Sequence, residues 1–265
     1  MNVFWILLIA ALVVSSVGFK KYIYFISIGY GFSVAVLGFI ILFTQRSTAG
    51  SWDVLQCLLL VFYGCRLGGY LLARELKSAS YRKTLAKETK DGSEVGFGVK
   101  IAIWITCAAL YACQVSPVLF RMETEGHHSD VLQIIGTILM IAGIVLETAA
   151  DLQKSAAKAV NPRRFVSTGL YRFVRCPNYF GEVLFWTGVF VSALNMIDSP
   201  LRWLAAIAGY AGIIYIMFSG ARRLELRQQR NYGDDPAYRE YVRKTPILIP
   251  FLPIYSVAKI KWLVG

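Results

Sequence analysis

The chain has 265 residues, 56% of them hydrophobic and only 17% charged, with a mean hydropathy of +0.53. A soluble domain of this length does not need so apolar an average, so composition argues against a soluble fold and for a membrane protein. The formal charge of +12 would suggest nucleic acid on a soluble protein, but basic residues also collect on the cytoplasmic side of membrane proteins, and their positions decide between the two.

Seven stretches are apolar and long enough, at about 17–25 helical residues, to cross roughly 30 Å of hydrocarbon. They fall near 3–19, 22–44, 53–73, 99–120, 131–149, 180–197 and 201–219. Helix is the state each must take, because lipid offers unpaired backbone groups no partner. The chain opens MNVFWILLIAALVVSSVGFKK, with its charges after the apolar run. A cleaved signal peptide has the reverse order, so this segment reads as the first span. The third span, LLLVFYGCRLGGYLLAR, places Tyr63 and Arg66 three apart and therefore on one helix face. A cation near a phenol makes it a better proton or hydrogen-bond donor; the plainer alternative is an interfacial tyrosine with an arginine snorkelling to the headgroups. The following RELKSASYRKTLAKETKDGSEVG reads as an exposed loop with a short polar helix.

The loop after the fourth span, METEGHHSD, holds both histidines, His127 and His128. Adjacent at a loop tip with no third ligand at metal spacing, they predict no metal site. The five cysteines, Cys57, Cys65, Cys107, Cys113 and Cys176, form no CxxC pair, which predicts buried thiols rather than a disulfide framework or zinc site. At the end of the fifth span Glu147 and Asp151 stand four apart, followed by Lys154 and Lys158. Such charges can simply knit a helix end to its loop, or the carboxylate pair can hold ligand hydroxyls and amides; spacing leaves both open.

Residues 164–186, RFVSTGLYRFVRCPNYFGEVLFW, are the densest in polar groups. Gly169 and Cys176-Pro177-Asn178 mark turns; Asn178 and Glu182 lie four apart on the next helix, with Tyr179 beside them and Trp186 a turn further on. Arg163, Arg164, Arg172 and Arg175 lead into that helix start, where arginines can hold a phosphate-bearing ligand. A cytoplasmic loop accounts for the arginines but not for Glu182, since an acid inside a span costs about 2.5–3.5 kcal/mol. The tail, ARRLELRQQRNYGDDPAYREYVRKTPILIP, carries Arg222, Arg223 and Arg227, then Tyr232, Tyr238 and Tyr241. A basic helix touching anionic lipid would account for these arginines as well. Beyond Pro246 the apolar tail is broken by Pro250 and Pro253 and is expected to lie against the bundle or the interface.

Apart from Arg46, Arg66, Arg121 and Arg202, every lysine and arginine falls in the first, third or fifth loop or in the tail. This alternation predicts an all-α integral membrane bundle of seven transmembrane helices, N-terminus outside and C-terminus cytosolic, with no need of nucleic acid to explain the charge.

The ordered set Glu147-x3-Asp151, Gly169-Leu170-Tyr171, Pro177-Asn178-Tyr179-Phe180-Gly181-Glu182-x3-Trp186, an arginine-rich helix, a tyrosine and Ile249-Pro250-Phe251 resembles the membrane steroid 5-alpha-reductase superfamily, in particular its bacterial-type branch. The resemblance covers most of the chain and is strongest from Glu147 to Pro250. It implies a single membrane domain over 1–265, with substrate-side helices in 1–120 and cofactor-binding helices and cytosolic loops in 121–265. It further implies an NADPH-dependent reductase of a carbon–carbon double bond conjugated to a ketone, acting on a lipophilic substrate. On that resemblance Asp151, Asn178 and Glu182 hold NADPH, and Glu147 sits where a relative has Asn. Lys158, Arg222, Arg227, Tyr238 and Tyr241 line the phosphates and adenosine, and Arg164, Tyr171, Arg175 and Tyr179 are further cofactor-binding residues. Tyr63, with Arg66, falls where the family's Tyr hydrogen-bonds the substrate ketone.

The second span departs from the steroid reductases of animals and plants. It reads YFISIGYGFSV and lacks their Gln-Glu pair, leaving Tyr30 and, on the fourth span, Gln114 as candidate substrate-binding residues. The resemblance therefore implies the reductase class without fixing a steroid as substrate. Two other readings are an S-adenosylmethionine-dependent methyltransferase similar to isoprenylcysteine carboxyl methyltransferases, and a non-catalytic scaffold or small transporter. Asn178 with Glu182, and Tyr63 with Arg66, favour the reductase over the methyltransferase; the missing two-half symmetry disfavours a transporter. No endoplasmic-reticulum retention signal is evident, which favours a bacterial inner membrane. The oligomeric state is left open, a monomer included.

Overall fold

A computed structural model describes residues 2–77, 95–126 and 128–263. The polar helix expected in the third loop, and His127, lie outside the described residues. Eight α-helices order the described chain: α1 (Asn2–Ser15), α2 (Ile28–Thr44), α3 (Ser51–Lys77), α4 (Phe97–Glu123), α5 (Val131–Val160), α6 (Pro177–Val191), α7 (Pro200–Tyr232) and α8 (Pro236–Lys244). No strand occurs among the described residues. Three of these helices begin on proline, whose missing N–H costs nothing in a first turn and whose φ is already helical. Asp235 caps α8 by accepting from the Ala237 N–H at 2.8 Å, and Asp130 does the same for α5 through the Gln133 N–H at 3.0 Å.

Among the described residues, five segments are long and apolar enough to cross a membrane: Tyr22–Thr44, Ser51–Lys77, Phe97–Glu123, Val131–Val160 and Pro200–Tyr232. The apolar run at the N-terminus, Val3–Phe19, is shorter, its last turn wound as 3-10 helix. The span expected at 180–197 is realised as α6, whose 15 residues reach about 22 Å, with turns following it. Neighbouring residues on α3 show what the long helices face: Phe62 is 57% exposed while Tyr63 is fully buried. Phe39, Ile105, Val145 and Leu204 are exposed on their own helices in the same way, the pattern of an integral membrane protein surrounded by lipid.

The chain divides into two compact units, Met1–Thr137 with Val189–Tyr210, and Ile138–Gly188 with Ala211–Gly265. In the first, glycines let α2 and α3 meet backbone to backbone. A Cβ on Gly64 would stand 2.4 Å from Ala35 N and Gly31 O, and one on Gly31 would stand 2.6 Å from Gly68 N. Small residues drive such contacts in membranes, where close van der Waals packing replaces the hydrophobic effect. Gly64→Ala is expected to destabilise the protein by about 1–3 kcal/mol, because the atoms it meets are backbone and cannot turn aside. Gly69→Ala, with nothing within 4 Å, serves as the control in a thermal unfolding series.

Arg121, expected in a loop, is instead buried within α4. It donates to Ser192 O at 2.8 Å, to Asp130 at 2.7 Å and to the His128 carbonyl, and Asp53 stands 3.9 Å from its Nε. Gln133 donates to Asp53 at 2.6 Å. Two carboxylates and two carbonyls explain how a guanidinium is kept out of water here.

Candidate active site

The glycine seam between α2 and α3 brings together two residues singled out in the sequence. Tyr30 and Tyr63 place their hydroxyls 3.3 Å apart in the interior of the first unit. Tyr30 also packs its ring against Tyr111 of α4, 5.2 Å between centroids, and the Tyr111 hydroxyl donates to Phe25 O. Each phenol is therefore held by packing as well as by hydrogen bonding. Arg66 lies a turn along α3 from Tyr63, with its guanidinium over the Tyr70 ring at 5.9 Å; Arg74 approaches the same ring at 5.7 Å. This stack lays positive charge along the helix face that carries Tyr63. Gln114, on α4, is buried in the same unit.

The second unit has its own glycine crossing. A Cβ on Gly143 of α5 would meet Gly181 O of α6 at 2.5 Å, and one on Gly181 would meet Glu147 N at 2.7 Å. Helix backbones this close set Glu147 against the turn that carries Glu182, and both acids are buried, 4% and 6% exposed. Asp151 stands one turn beyond Glu147 on α5, and Asn178 one turn before Glu182 on α6, with its Oδ1 buried and lacking a hydrogen-bond partner. Gly220 of α7 abuts the Tyr179 ring, and Arg223 and Arg227 are near enough to act on Tyr179 electrostatically. The Ser219 hydroxyl is also buried without a partner. Glu147, Asp151, Asn178, Tyr179, Glu182 and Arg227 thus fall on neighbouring helices of one unit. The arrangement offers buried acceptors for amide and hydroxyl donors, with guanidinium groups for an anion.

Other sequence-predicted cofactor residues are engaged in holding the loop and tail. Arg175, 2% exposed, pairs with Glu225 at 3.0 Å and donates to Tyr255 O, while Glu225 also accepts from Val257 N at 2.9 Å. The backbone N–H groups of Arg175 and Cys176 donate to Pro246 O and Ile247 O at 2.9 and 3.0 Å, so the proline-broken tail lies against this unit. Arg222 donates to Ala258 O and Leu263 O at 3.2 and 3.1 Å. Lys158 caps its own loop through Pro162 O and Arg164 O, at 3.1 and 2.6 Å, and through the Tyr232 hydroxyl. Tyr241 donates to Tyr171 O at 2.6 Å, Tyr171 to Ala150 O at 3.3 Å, and Tyr238 and Tyr241 pack on Phe165. Burial pushes the Tyr238 phenol up to about 12 despite Arg175 beside it, so it stays protonated. The Arg164 side chain is exposed.

Glu225 and Ser219 went unnoticed in the sequence. Glu225 had a signal: it is the lone acid among Arg222, Arg223, Arg227 and Arg230. Ser219 had none.

A family model described as protein of unknown function, DUF1295, matches residues 13–245. The chain belongs to this family. It lies within the steroid 5-alpha-reductase superfamily, as the ordered motifs implied. The chain is also similar to a very-long-chain enoyl-CoA reductase of Dictyostelium discoideum, 31% identical over 120 residues, which are 44% of this chain and 36% of that protein. It therefore spans about a third of the length of this curated relative. No solved structure matches the chain.

Proposed function

We propose that this protein is a membrane reductase that uses NADPH to reduce a carbon–carbon double bond conjugated to a carbonyl in a lipophilic substrate. The observation that carries the proposal is the Gly143–Gly181 crossing, which keeps two carboxylates and an unpartnered amide oxygen inside the second unit. An amide oxygen buried without a donor, as Asn178 Oδ1 is, costs about 1–3 kcal/mol, and a nicotinamide carboxamide supplies an N–H donor of the right kind. Asn178 and Glu182 would hold the carboxamide end, Glu147 and Asp151 the ribose hydroxyls, and Arg223 and Arg227 the phosphates. The name of the Dictyostelium relative supports the same class of bond, a double bond conjugated to a thioester carbonyl.

When bound, NADPH supplies a hydride for the carbon β to the carbonyl. Negative charge then develops on the carbonyl oxygen, where Tyr63 donates a hydrogen bond. With Tyr63 donating to the substrate, Tyr30, 3.3 Å away, is placed to donate in turn to the Tyr63 oxygen and sharpen its O–H as a donor. The α carbon takes its proton from solvent, leaving the saturated carbonyl compound. We place the basic loops and the tail on the cytosolic side, where the water-soluble cofactor enters.

Purified protein in detergent is expected to bind NADPH saturably and S-adenosylmethionine not at all, and to oxidise NADPH with steroidal or isoprenoid enones. Glu182→Ala and Asn178→Ala should each weaken NADPH about 10- to 100-fold, as loss of one or two buried hydrogen bonds predicts. Normal NADPH affinity in both variants would remove this site.

A further inference from the structure

The proposed chemistry uses Tyr63 and Tyr30 but leaves Gln114 unexplained. Gln114 is 2% exposed, and both ends of its amide, Oε1 and Nε2, are buried without a hydrogen-bond partner. The backbone of α7 presses on this point of α4, where a Cβ on Gly209 would stand 2.4 Å from Cys113 C and 2.6 Å from Gln114 N. Gln114 lies one helical turn beyond Tyr111, whose ring packs on Tyr30 of the phenol pair. On α2, Ser33 repeats the relation. It stands one turn beyond Tyr30, fully buried, and its hydroxyl too has no partner.

An amide with an acceptor and two donors left unmet inside a protein is a standing cost, and a leucine of similar volume would not carry it. A group that belongs to a ligand removes the cost only when that ligand is bound. We propose that Gln114 binds a second oxygen of the substrate, a hydroxyl or carbonyl set apart from the reacting double bond. The substrate class is then a lipophilic conjugated carbonyl compound bearing at least one further hydrogen-bonding oxygen. This rests on the reductase reading for the reacting end alone.

Two measurements test it. In ligand-free protein, Gln114→Leu and Gln114→Met should raise Tm by about 2–4 °C, because each removes unmet polar atoms from the interior. A glutamine that served the fold would lower Tm on replacement, and a lower Tm in both variants, or failure of both to fold, overturns the proposal. The second measurement uses steroidal enones identical except for one hydroxyl, placed at carbons progressively further from the ketone, with the unhydroxylated parent. Wild type should bind one member at least tenfold tighter than the parent, and Gln114→Leu should erase most of that margin. A margin that survives the substitution, or no margin in wild type, overturns the proposal. Failure of the reductase reading shows separately, as absent NADPH binding by wild type.

Discussion

Tyr63→Phe should lower kcat by about 10²- to 10³-fold while NADPH still binds with wild-type affinity. The substitution removes one hydroxyl from a fully buried ring and keeps the ring's packing, so the fold has little reason to change. A single well-placed donor to a developing oxyanion is worth this much because it acts in a dry interior and needs no reorganisation as charge builds. Tyr30→Phe should cost less, because in the proposed mechanism its hydroxyl acts through Tyr63, 3.3 Å away. Single-turnover oxidation of bound NADPH with an enone separates the chemical step from release. Unchanged turnover in Tyr63→Phe would clear that residue of any catalytic part and move the search for the oxyanion donor elsewhere.

The second large effect concerns stability. Arg175→Ala leaves Glu225 buried beside an apolar interior, still accepting from Val257 N but deprived of its cation at 3.0 Å. Breaking a buried pair from one side costs about 3–5 kcal/mol, and the tail loses its tie at Tyr255 O as well. The expected result is a marked fall in Tm together with faster proteolysis of the chain beyond Pro246. The double replacement Arg175→Met with Glu225→Met should be milder than either single change, since no lone charge stays buried. This pattern separates Arg175 as a holder of the tail from Arg175 as a phosphate ligand. A ligand would weaken NADPH when replaced by Met and leave the tail protected.

Much of this was legible along the chain. Long apolar runs require helices in lipid, so the all-helical character followed from hydropathy before any contact was known. One turn signal marked a helix start: Cys176-Pro177-Asn178 precedes Glu182, and α6 opens at Pro177. Spacing also placed Tyr63 with Arg66, Glu147 with Asp151 and Asn178 with Glu182 on common faces, because a helix repeats every 3.6 residues whatever surrounds it. The ordered motifs from Glu147 to Pro250 were enough to indicate the superfamily. Span length was read less well. The run at 180–197 is hydrophobic enough on average to suggest one span, yet α6 stops at Val191, since hydropathy measures what lipid tolerates and says little about where a helix ends.

Partnership across helices could not be read this way. Arg121 looked like a loop cation until Asp130, Asp53 and the Ser192 carbonyl closed around it. Arg175 and Tyr241 carried the chemistry of a cofactor site, yet their side chains hold the tail and the Tyr171 carbonyl. Tyr30 was only the nearest polar residue to a missing acid until Gly31, Gly64 and Gly68 let α2 approach α3 and brought two hydroxyls together. Residue type and periodicity are local properties, so the chain by itself determined helices, polar faces and family. Which polar group meets which depends on ångström-scale approaches between segments far apart in sequence, and those approaches are properties of the tertiary structure alone.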